Sequence, residues 1–127
     1  RACIDACPTK AILENERVLD ASLCISTFTI ELFKDAPPPK GYSETAEVFG
    51  CDICQEVCPW NIKPIKNAKE VDIDNHELFN FFNRPKSQII EELNTYSNRS
   101  YQRKMLGTPL FRTGLKGMLK NFLYKKD

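Results

Sequence analysis

Cysteines carry the only dense chemical pattern in these 127 residues, and all six fall between Cys3 and Cys58. Cys51, Cys54 and Cys58 form a Cys-x2-Cys-x3-Cys run closed by Pro59, and Cys3, Cys7 and Pro8 repeat its second half. A Cys-x2-Cys turn brings two thiolates within reach of neighbouring irons on one cubane, and backbone N–H groups in the turn are placed to hydrogen-bond the cluster sulfurs. In the bacterial pattern Cys-x2-Cys-x2-Cys-x3-Cys-Pro, the fourth cysteine ligates the other of two clusters. Applied to both groups, that rule sends Cys7 across to join Cys24, Cys51 and Cys54 in a complete four-thiolate 4Fe-4S site, and sends Cys58 back to join Cys3. The second 4Fe-4S site then needs two more cysteines, three and six residues before Cys3, both ahead of Arg1. The chain is therefore read as a piece of a longer protein.

Two other uses of cysteine compete with this reading. Disulfides suit secreted scaffolds with a higher cysteine share, and clustered cysteines in a cytosolic protein more often bind metal. A structural zinc ion also takes four thiolates, so Cys51 and Cys54 plus two others would serve it. The proline after the last cysteine of each group, Pro8 and Pro59, favours clusters, because zinc modules have no need of it.

The elements that must position these thiols are short. Ala11 to Leu13 and Arg17 to Leu19 read as a small hairpin, and Asp20 is a plausible N-cap for a helical turn carrying Cys24. Pro37, Pro38 and Pro39 enforce a loop between the two cysteine groups, since consecutive prolines lack backbone donors and exclude helix before them. The module is bounded near residue 65, giving domains 1–65 and 66–127. Beyond it the pattern turns helical. His76 to Phe82 is aromatic-rich, Ser87 is placed to cap Gln88 to Leu93, and Ser97 or Asn98 to cap Arg99 to Leu106. Leu115, Met118, Leu119, Phe122 and Leu123 recur at helical spacing, with Gly107, Thr108 and Pro109 as the divider. The fold class expected is α+β, a bacterial-ferredoxin-like two-cluster module followed by a small helical tail.

The charge is lopsided. Residues 99–127 hold eight lysines and arginines against Asp127, a net +7, which leaves −6 for the remainder. Such a basic appendage on an acidic module suits a polyanionic partner, although a solvated lysine face on an amphipathic helix explains the same charges. No run approaches the ~18 apolar residues of a membrane span, so no membrane contact and a cytoplasmic location are the default. Phe28, Phe49 and Trp60 are expected to pack around the clusters and exclude water. His76, between Asp74 and Glu77, is expected to be solvated or to cap a helix rather than bind metal. Glu31 and Asp52 lie near cysteines without a partner that would identify acid-base chemistry.

The segments Arg1 to Ile12, Val18 to Ala21, Cys24 to Ser26 with Thr29 to Glu31, and Phe49 to Asn61 resemble the iron-sulfur half of the epoxyqueuosine reductase family. Gly107 to Leu110 followed by a basic helix resembles that family's C-terminal region. The resemblance implies an oxidoreductase that reduces epoxyqueuosine to queuosine in tRNA, with cobalamin held by an N-terminal domain and the clusters passing electrons to it from an external donor. It implies tRNA contacts at Arg112, Lys116, Lys120, Lys125 and Lys126, no catalytic residue in this piece, no activity of the piece alone, and a monomer. A reductive dehalogenase-like corrinoid enzyme shares the cysteine spacing but has no use for a basic tail. A stand-alone ferredoxin-type carrier is the non-enzymatic alternative.

Overall fold

The computed structural model describes residues 1–15, 18–31, 35–69 and 76–125. It is mostly helical with one small two-stranded sheet. The cysteine-bearing half consists of α1 (Ala2–Ala6), the hairpin β1 (Ile12–Leu13) and β2 (Val18–Leu19), a π-helical turn at Thr27–Glu31, a 3-10 turn at Tyr42–Glu44, α2 (Ile53–Glu56) and α3 (Pro59–Lys66). The strands pair antiparallel, Ile12 opposite Leu19 and Leu13 opposite Val18, as the sequence predicts; Arg17 lies outside the described residues. Asp20 caps the turn that follows β2: its carboxylate accepts from the Ser22 amide at 2.9 Å and the Ser22 hydroxyl at 2.6 Å.

Among the described residues four helices make the other half: α4 (Glu77–Phe82), α5 (Lys86–Thr95), α6 (Asn98–Met105) and α7 (Leu110–Tyr124). Ser97 caps α6 in a reciprocal box with Ser100, which satisfies amides that the first helical turn leaves without partners. Helix α5 starts one residue before Ser87, because the Pro85 carbonyl already accepts from the Gln88 and Ile89 amides and takes over the entry to the helix. Thr108 closes the turn after α6 by bonding to the Met105 carbonyl through both amide and hydroxyl. Within α7, Gly114 has φ 70° and ψ 168°, a conformation that breaks the helix and favours glycine.

The core is in two parts. Phe81, Ile89, Leu93, Tyr101, Met105, Leu110, Leu115, Met118 and Phe122 fill the space between the helices, with Val48 and Phe49 from the cysteine half packed against them. Each fully buried side chain of this size contributes about 1.5–3 kcal/mol. A smaller cluster of Ile25, Phe28 and Tyr42 lies beneath the cysteines, with Cys51 packed on it. Phe28 meets the Tyr42 ring edge-on, centroids 4.8 Å apart. Helix α7 joins the two parts, since it packs on α5 and α6 and also on the π-helical turn. Leu119 is only partly buried and Leu123 is exposed, so the helical stripe narrows to Leu115, Met118 and Phe122.

Candidate iron-sulfur site

Three separate segments deliver four thiols to one place. Cys7 caps the C-terminus of α1, Cys24 immediately precedes the helical turn beginning at Ile25, and Cys51 and Cys54 flank the start of α2. Together with Ile12, Leu19, Ile25 and Ile53 they line a single hollow. Its apolar walls exclude water and lower the local dielectric, which strengthens any charge interaction inside.

The backbone around these thiols already points donors at sulfur. The Ala11 amide donates to Cys7 Sγ at 3.3 Å, and the Thr9 hydroxyl lies 3.7 Å from the same atom. Burial pushes the Cys7 thiol up, but the bonds from Thr9 and the neighbouring amides outweigh it and hold the thiol below its ordinary value. At Cys51 burial wins: desolvation pushes the thiol up, assisted by Glu47, against the opposing Ile53 amide. The Ser26 hydroxyl reaches the Cys51 carbonyl at 3.4 Å, tying the segment after Cys24 to the segment of Cys51. Gly41, at φ +94°, lets the proline loop run against the strand-entry turn: a Cβ there would lie 2.4 Å from the Pro8 carbonyl oxygen, beside Cys7.

Cys3 and Cys58 line a second, open hollow with Ile4, Ile12, Leu13, Val18 and Leu19, and Cys54 sits in the wall between the two. All six thiols are free, with no disulfide among them. Among the described residues no group of three or more His, Cys, Asp or Glu side chains is arranged to hold a single metal ion. A 4Fe-4S cluster fits the complete hollow on the chemistry of its donors: four thiols, apolar walls and an amide already directed at a sulfur.

Other residues depart from the sequence reading or follow it. Trp60 does not pack near the thiols; it is 87% exposed, because α3 buries none of its residues and carries the indole outward. Phe49 packs on the helical core instead of the cysteines, whereas Phe28 is fully buried beneath them. His76 caps α4, its Nδ1 accepting from the Leu78 amide at 3.2 Å. Glu31 pairs with Arg112 at 2.8 Å. Arg112 and Lys116 are exposed and Lys125 is half-buried, whereas Lys126 lies outside the described residues. Lys120 is withdrawn from the set of tRNA contacts: it is 5% exposed, and its ammonium donates to the Phe28 carbonyl. The sequence shows no sign of this, since Lys120 has the same type and helical setting as its solvated neighbours. Asn121 escapes sequence reasoning for the same reason; it is fully buried and bonds to Thr29 and Val48.

These features define a class, that of iron-sulfur proteins, and the family described as 4Fe-4S double cluster binding domain matches residues 1–61. The chain belongs to the epoxyqueuosine reductase family: it is 39% identical over 127 residues to the epoxyqueuosine reductase of Cyclobacterium marinum, covering 98% of this chain and 37% of the relative. The epoxyqueuosine reductase of Leadbetterella byssophila is 36% identical over 127 residues, 99% of this chain and 38% of that protein. That of Cellulophaga algicola is 55% identical over 60 residues, 47% of this chain and 19% of the relative. The chain thus spans less than two-fifths of the length of these curated relatives. No solved structure matches it. Among the described residues no helix is long and apolar enough to cross a membrane.

Proposed function

We propose that this chain is the electron-relay part of a reductase that converts epoxyqueuosine to queuosine in tRNA, holding one complete 4Fe-4S cluster and half the ligands of a second. The convergence of Cys7, Cys24, Cys51 and Cys54 on one apolar hollow carries the reading. Bound there, the cluster supplies one-electron transfer. The residues of the chain do the rest. Ala11 and Thr9 direct hydrogen-bond donors at the Cys7 sulfur, which stabilises negative charge on it. Ile25, Phe28 and Tyr42 keep water from the inner side. Cys3 and Cys58 hold the second cluster with two cysteines that precede Arg1, and Cys54 in the shared wall keeps the two sites adjacent for transfer between them.

In this scheme cobalamin is held by another part of the protein. The single imidazole of the chain, His76, is a natural ligand type for a transition metal. Its Nδ1 is occupied as a helix cap and it stands beyond the cysteine half, so the described residues do not fit a corrinoid. Exposed Arg112 and Lys116, with Lys125, provide the surface for tRNA phosphates. The basic tail favours an RNA substrate over an organohalide, and the likeness to epoxyqueuosine reductases over nearly the whole chain favours an enzyme over a stand-alone carrier. Anaerobic reconstitution of the full-length protein is expected to give about eight irons per chain, about four per cluster. Stoichiometric zinc with no visible absorbance would reject the reading.

A further inference from the structure

Lys120 is the only charged residue among the buried described residues, and its side chain reaches the helical segment that follows Cys24. Its Nζ donates to the Phe28 carbonyl and stands 3.8 Å from the centroid of the Phe28 ring. The Phe28 amide in turn donates to the Cys24 carbonyl at 3.0 Å. One residue further along α7, Asn121 Nδ2 donates to the Thr29 carbonyl at 2.7 Å and the Val48 carbonyl at 2.8 Å. The Thr29 hydroxyl accepts from the amide of Gly50 at 3.0 Å, directly before Cys51. Two neighbouring side chains of one helix therefore grip both the segment after Cys24 and the segment before Cys51.

A hydrogen bond to Phe28 needs only a neutral donor, and a buried charge is costly to desolvate. The placement of a full charge at this point has a consequence for the site beyond packing. Reduction of a cluster adds one negative charge, and a fixed cation nearby in a low-dielectric interior stabilises the reduced form more than the oxidised one. We propose that Lys120 is a positioning residue of the Cys7, Cys24, Cys51 and Cys54 site, and that its buried positive charge raises the reduction potential of the cluster held there. The proposal rests on the cysteine assignment given above.

The test is a redox titration at pH 7, followed by electron paramagnetic resonance, of full-length cluster-loaded parent, K120Q and K120R proteins, with C24S identifying the signal of the complete site. K120Q retains a donor for the Phe28 carbonyl and removes the charge; K120R retains both. The expected result is a shift to more negative potential in K120Q for the cluster that C24S abolishes, no shift for the other cluster, and restoration in K120R. Unchanged midpoints in K120Q at full iron content, or equal shifts of both clusters in K120Q and K120R, would overturn the proposal. If K120Q loses iron, K120M, with an aliphatic stem of similar length, is measured against the same criteria. A parent protein that takes up no iron would sink the cysteine reading itself, a failure distinct from an unmoved potential.

Discussion

The cysteines of the two Cys-Pro groups are legible from spacing because ligand chemistry fixes residue type as well as interval; Cys24 stands apart from both, with Val48 at the position three before Cys51, and as the remaining thiol it is expected to be irreplaceable at its site. In full-length protein, C24S should lose about half the iron, the share of one cluster of four, with retention of all iron counting against the assignment. Residues that serve the site through backbone geometry give no such signal. Gly41 is an example: alanine there would meet the Pro8 carbonyl oxygen at 2.4 Å in a left-handed backbone conformation. G41A should destabilise the protein by about 1–3 kcal/mol, measurable by chemical denaturation, and should speed cluster loss. Lys120 has a pH signature of its own. Burial pushes its ammonium from 10.5 down to about 8, so the native state gives up the proton before the unfolded chain does. Relative to K120Q, the parent should gain stability as pH rises from about 8 toward 10.5, where the unfolded state binds more protons. Denaturation curves in that range with no difference in slope between the two proteins would remove the desolvation argument.

At the level of elements, helical periodicity and caps are readable where local chemistry decides the outcome. Ser97 is recognisable because a hydroxyl just before a helical run satisfies an orphan amide. The start of α5 falls two residues earlier than its serine suggests, because Pro85 supplies the entry without any side-chain cap. The break at Gly114 is hidden, since apolar spacing continues through Leu115 and Met118 while the backbone turns. Trp60 defeats the sequence reading because proximity to Cys58 along the chain does not fix which way a short helix faces; α3 turns its residues outward. Leu93, with no exposed area, anchors the helical core, and L93A should destabilise it by about 2–5 kcal/mol in a urea titration. Because α7 bridges to the cysteine half, that change should also weaken cluster retention.

Over the whole molecule, the sequence reveals an acidic cysteine half and a basic tail, and the structure divides the tail's cations by depth. Replacing Arg112, Lys116 and Lys125 together with alanine in the full-length protein should weaken tRNA binding. It should also flatten the log-log salt dependence of binding by about 0.7–0.9 for each phosphate that is no longer neutralised. An unchanged slope would mean that this surface does not meet RNA. What spacing alone leaves open is how segments far apart in sequence close on one hollow. That closure depends on hydrogen bonds such as those from Asn121 to Thr29 and Val48, which have no local pattern. The most direct measurement is Mössbauer and paramagnetic resonance spectroscopy of the anaerobically reconstituted 127-residue chain before and after dithionite. One 4Fe-4S cluster that becomes paramagnetic on reduction, absent when Cys7, Cys24, Cys51 or Cys54 is changed to serine, is the expected result. A chain that binds zinc in place of iron, or a cluster that survives those substitutions, would contradict it.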